Sequence, residues 1–167
     1  MHYSGRRMGS LTSEAGTASR RALRTGQLCV RIVRAFPSPP FVLFRAWTTP
    51  SMIKKWFHTG PEWSTPAAEV DLQVGGHYRI AMQDAAGKTY CYSGRYQEVR
   101  EPQSLAFTWA PYSDAVVETL VVLQFRPSLA GSGTELELSH HGLLHEQMRD
   151  DHEAVWNICL DRLEEAL

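Results

Sequence analysis

"HEAVWNICLDRLEEAL", residues 152–167, is the stretch on which the fold turns. Trp156, Cys159, Leu160, Leu163 and Leu167 fall at i, i+3, i+4, i+7 and i+11, a single stripe at the helical period. Glu153, Asn157, Asp161 and Glu164 occupy the opposite side. The spacing predicts one amphipathic helix of four to six turns, whose apolar side needs a surface to lie on. The segments before it supply that surface. Short runs at 67–73, 77–83, 89–99, 104–110, 116–126 and 134–141 are separated by turn signals such as Gly75-Gly76, Ala86-Gly87, Glu101-Pro102 and the "AGSG" at 130–133. Strands this short at hairpin spacing make an antiparallel meander. A period of two puts Tyr78, Ile80 and Met82 on one face, as it does Leu105, Phe107 and Trp109, and then Leu136 and Leu138. The meander is therefore apolar on one face, and the final helix is its cover.

Working back to the start of the domain, "LCVRIVRAF" (28–36) alternates and is rich in β-branched residues, a strand. "SPPFVLFRAWTTPSMIKKWF" (38–57) opens on two prolines, carries an apolar stripe of Phe41, Phe44 and Trp47, and restarts at Thr49-Pro50-Ser51, where proline suits a first helical turn. Two short helices fit it. The expected fold class is α+β: a curved antiparallel sheet of six to seven strands wrapped around a long C-terminal helix, with two short helices after the first strand.

The 167 residues, 43% hydrophobic and 21% charged with a net charge of −1, are enough for one domain with its own core. Residues 1–27 hold five arginines against Glu14, a charge of +4, and few large apolar groups, so they read as a disordered basic tail. Residues 28–167 form the domain, at −5. Such a balance gives no field for nucleic acid, and no apolar run approaches the roughly 18 residues of a membrane span. Cys29, Cys91 and Cys159 are an odd number with no Cys-x-x-Cys, each inside an apolar or amphipathic segment. They are expected to be reduced core residues of a cytoplasmic protein. Gly-x-Ser-x-Gly is absent, and Gly75-Gly76 lacks the spacing of a phosphate cradle, so it reads as a tight turn.

Four segments in order carry a family resemblance: "RAWTTPSMIKKWFHTGPEW", "DLQVGGHYRI", "SGRYQEVREPQSLAFTW" and "GSGTELELSHHGL" followed by a helix with Trp156 and "LDRL". The chain resembles the proteins similar to the activator of heat-shock protein 90 ATPase, within the START-like, helix-grip (SRPBCC, Bet v 1-like) superfamily, over about residues 28 to 167. It departs from their pattern at Gln73-Val74, where arginine-proline would be expected, and at Trp56-Phe57, where a tryptophan pair would be. The resemblance implies a helix-grip fold with a cavity between sheet and C-terminal helix. It implies no universal catalytic residue and no cofactor.

Within that frame Trp56, Trp63, Tyr78, Tyr92, Phe107, Trp109 and Trp156 can turn inward, as core or as the lining of an apolar pocket. Four of the seven histidines crowd into "SHHGLLHEQMRDDHEAVW" (139–156). Alternation sends His140 inward with Leu136 and Leu138 and His141 outward, and His152 lies one helical turn before Trp156, at the pocket mouth. His145 belongs to the loop or first turn. His140, His145 and His152 with Asp150 or Asp151 match no zinc spacing, so no metal is expected. Three functional readings stay open. A binding module for a hydrophobic or amphipathic small molecule requires an aromatic pocket, with His152 among its contacts. A cavity enzyme of polyketide cyclase, dehydratase or hydrolase type requires His152 or His140 to meet a carboxylate inside it. A chaperone-modulating interaction domain requires an exposed apolar patch. Monomer and homodimer are both compatible with the sequence.

Overall fold

The computed structural model describes residues 28–111 and 118–167. In chain order the elements are β1 (Leu28–Phe36), α1 (Pro40–Thr48), α2 (Pro50–Trp56), β2 (Ser64–Val70), β3 (His77–Gln83), β4 (Thr89–Arg100), β5 (Ser104–Pro111), β6 (Thr119–Pro127), β7 (Thr134–Leu143) and α3 (Glu146–Ala166). The seven strands form one antiparallel sheet in the order β1-β7-β6-β5-β4-β3-β2. It is an open, curled sheet with β1 and β2 as its edges, and α3 lies against β1, β7 and α2. This is the α+β helix-grip arrangement expected. The basic segment 1–27 and the start of the run at 116–126 lie outside the described residues.

Proline starts both short helices, Pro40 and Pro50 standing in the first turn where a missing N–H costs nothing. Alternation holds along the sheet: Tyr78, Ile80, Met82, Leu105, Phe107, Trp109, Leu136, Leu138 and His140 are all buried. Where it breaks, a bulge is the cause. Leu28 and Cys29 pair with Leu143 and His141, so Gly142 is an extra residue in β7, and its φ of +88° is one that glycine adopts freely. The bulge turns Leu143 inward and extends β7 two residues past the expected 134–141.

Three expectations need correction. The second strand is 64–70, not 67–73, because Pro66 is tolerated on an edge strand and Asp71–Gln73 instead belong to the turn before β3. There the Asp71 carbonyl would be 2.1 Å from any Cβ on Gly76, so that turn requires glycine. Cys29 is exposed and Cys91 half-buried, leaving Cys159 as the one core cysteine of the three, since alternation places Cys29 with Arg31 on the solvent face. Leu167 lies beyond the last helical residue and is exposed, so the buried stripe of α3 is Trp156, Cys159, Leu160 and Leu163. Arg34 ties that helix to the sheet edge, donating to Asp161 at 2.5 Å and Asn157 at 3.3 Å.

Candidate functional site

An aromatic cavity occupies the space between the sheet, the two short helices and α3. Its walls are Trp47, Ile53, Trp56 and Phe57 from the helical side, Tyr78, Ile80, Tyr96, Phe107 and Trp109 from the sheet, and Trp156 from α3. The volume open to a water molecule's centre is about 20 Å³, room for one water. The rings nearly close the space on themselves. Trp47 meets Trp56 edge-on at 4.7 Å, Trp109 meets Trp156 at 5.1 Å, and Phe57 lies 5.8 Å from Trp109. Gly94 makes the sheet side possible: a Cβ there would be 1.9 Å from the Thr108 carbonyl and 2.8 Å from the Tyr78 ring. Tyr78 uses that gap to donate its hydroxyl to the Thr108 carbonyl at 2.7 Å.

Buried polar groups usually find partners, and most of the polar tips here do. Trp56 donates to the Ala46 carbonyl at 2.9 Å and Trp156 to His140 Nδ1 at 3.1 Å. The indole N–H groups of Trp47 and Trp109 are buried with no acceptor among the described residues. Both rings are 5% exposed.

The histidine cluster separates into three environments. His140, fully buried, has both nitrogens engaged. Nδ1 accepts from Trp156, so Nε2 carries the proton and donates to Thr119 Oγ1 at 2.7 Å; that hydroxyl in turn donates to the Trp109 carbonyl at 3.0 Å. One chain of hydrogen bonds thus joins β5, β6, β7 and α3. Burial, with smaller contributions from His152 and His141, pushes the His140 pKa down to about 3. A ring kept neutral, its lone pair taken, cannot serve as a general base without releasing Trp156. His152 is half-buried, donates from Nδ1 to the Met148 carbonyl at 2.7 Å, and packs its ring edge-to-face on His140 at 4.8 Å. Its Nε2 has no hydrogen-bond partner among the described residues. His145, exposed, is the N-cap of α3, accepting from the Met148 N–H at 3.1 Å. No carboxylate bonds to any of these rings among the described residues, and none of His140, His145, His152, Asp150 and Asp151 gathers into a metal-holding group of three there.

Of the expected contacts, Trp56, Tyr78, Phe107, Trp109 and Trp156 line the cavity. Tyr92, Trp63 and His152 stand outside the lining. Tyr92 stacks on the outer side of the set, 4.7 Å from Trp109 at 23°, Trp63 pairs with Tyr90 at 5.4 Å, and His152 meets His140. The sequence reading missed Trp47, Ile53, Phe57, Ile80 and Tyr96 as lining. Tyr96 shares its strand parity with Tyr92, and Trp47 follows Phe44 on one helical stripe, so both were within reach of periodicity. Cys159, buried on the inner stripe of α3, donates to the His58 carbonyl at 3.8 Å, and burial pushes its thiol up to about 12.

The model of the family described as "Activator of Hsp90 ATPase homolog 1-like protein" matches residues 37–167. No curated protein matches the chain. Among solved structures, a protein from Nitrosomonas europaea is 29% identical, with a TM-score of 0.69 over 85% of this chain and 95% of the other. An AHSA1 protein from Silicibacter pomeroyi is 26% identical, with a TM-score of 0.73 over 83% of this chain and 96% of its own. A protein from Chromobacterium violaceum, 21% identical, shares the fold at a TM-score of 0.73 over 82% of this chain and 94% of the other. Among the described residues no helix is long and apolar enough to cross a membrane.

Proposed function

The chain belongs to the family of Activator of Hsp90 ATPase homolog 1-like proteins, and on that premise we propose that it binds an apolar small molecule in the cavity between its sheet and α3. The observation that carries this reading is the lining itself: ten apolar and aromatic side chains from all three layers surround one space, with no charged group among them. Such a wall offers rings for stacking and little that would favour a polar guest. At about 20 Å³ the space is too small for such a guest as it stands. Binding therefore requires rings to separate, and edge-on aromatic contacts are worth only about 1 kcal/mol each. Burying roughly 300 Å² of apolar ligand contributes on the order of 7 kcal/mol before association costs. Opening two or three such contacts leaves at most about 5 kcal/mol, an affinity nearer millimolar than micromolar.

The neutral, fully bonded His140 favours binding over acid–base chemistry at this site. The test is native mass spectrometry of protein purified from expressing cells, with fluorescence titration of a panel of uncharged aromatic compounds, on the wild type and on Ile80→Phe, which fills the cavity. Saturable binding by the wild type that is lost in a folded Ile80→Phe supports the reading. No binding by the wild type, or equal binding by both proteins, contradicts it.

A further inference from the structure

Two of the rings that line the cavity, Trp47 and Trp109, bring buried N–H groups that no atom of the described residues accepts. Indole nitrogen donates and cannot accept, so whatever completes these groups must be an acceptor. The neighbouring tips are already used, Trp56 on Ala46, Trp156 on His140 and Tyr78 on Thr108. Among the described residues no lysine, arginine or histidine belongs to the lining, so a carboxylate would enter without a counter-charge from them, at high cost in an apolar space. We propose that the cavity selects uncharged aromatic or cyclic guests that carry a hydrogen-bond acceptor, a ring ketone being the simplest class, with that oxygen taken by the indole N–H of Trp47, of Trp109 or of both. This rests on the binding reading above and sharpens it from apolar to apolar with a neutral acceptor.

Matched probes separate the two claims. Fluorene and 9-fluorenone share a ring frame and differ at one carbon, and fluorene-9-carboxylate adds a charge at the same place. Their affinities are measured by isothermal calorimetry on the wild type, Trp47→Phe, Trp109→Phe and the double variant, each checked for fold by circular dichroism. The wild type is expected to hold fluorenone about tenfold tighter than fluorene, the weight of one net hydrogen bond, and to bind the carboxylate more weakly than either. In the double variant, or in a single one if one indole acts alone, the ratio of fluorenone to fluorene affinity falls to within about twofold, whatever the change in the two absolute affinities. Equal binding of fluorene and fluorenone by the wild type overturns the inference and leaves apolar binding standing, as does a fluorenone preference that survives the double substitution. Binding of none of the three overturns the pocket reading and this inference with it.

Discussion

Replacing His140 by glutamine separates the structural role of that histidine from its titration. Glutamine keeps a donor for Thr119 and an acceptor for Trp156 but carries no proton equilibrium near neutrality. In the native protein the His140 pKa lies at about 3, whereas in the unfolded chain it returns to about 6.5. Between those values the unfolded chain binds a proton that the folded one refuses. Stability from this site is therefore complete above about pH 6.5 and falls as pH drops toward 3. At pH 5 the loss is about 2 kcal/mol, from 1.4 kcal/mol per pH unit over the 1.5 units crossed. Urea unfolding of wild type and His140→Gln at pH 7.5 and pH 5.0 reads this directly. The pKa of His141 is also lowered by burial, but it is present in both proteins and cancels in the difference. Wild type should lose about 2 kcal/mol more than the variant on going to pH 5.0. Equal losses in the two proteins would refute the neutral, doubly bonded assignment of His140.

Three further outcomes follow from particular contacts. Gly94→Ala should prevent folding or cost well over 3 kcal/mol, because its Cβ would meet the backbone carbonyl of Thr108 at 1.9 Å and the Tyr78 ring at 2.8 Å; a thermal midpoint within about 2 °C of wild type would contradict the close approach. Arg34→Ala should cost about 1 kcal/mol, with the larger part of the loss disappearing in 1 M salt, since Asp161 is largely exposed; this is checked by urea unfolding at low and high salt. In alkylation followed by mass spectrometry, Cys29 should react first and Cys159 only on unfolding, given an exposed thiol in one case and a buried one held near 12 in the other.

The architecture was legible because it rests on two periods. A stripe at 3.6 residues from Trp156 to Leu163 and an alternation from Tyr78 to His140 leave one apolar face and one cover for it, and both survive in the structure. What periodicity cannot show is where a strand gains a residue or how deep a ring reaches. The bulge at Gly142 and the start of β2 at Ser64 depend on partner strands, and neither is a local property. The lining was half legible for the same reason. Trp63 and Tyr92 are aromatic as expected, yet neither lines the cavity: Trp63 pairs with Tyr90, and Tyr92 stacks behind the lining on Trp109. The dense histidine run proved the least informative by composition alone. Only three-dimensional pairing shows that one ring caps a helix, one is locked between Thr119 and Trp156, and one keeps a nitrogen without a partner among the described residues.

The most direct test of the cavity as a binding site is an NMR titration of the ¹⁵N-labelled protein with 9-fluorenone, following the five tryptophan side-chain N–H signals. Saturable shifts should appear among Trp47, Trp56, Trp109 and Trp156, which line the cavity, while Trp63, paired with Tyr90 outside it, stays still. A titration that moves none of them, or that moves Trp63 alone, would contradict binding between the sheet and α3.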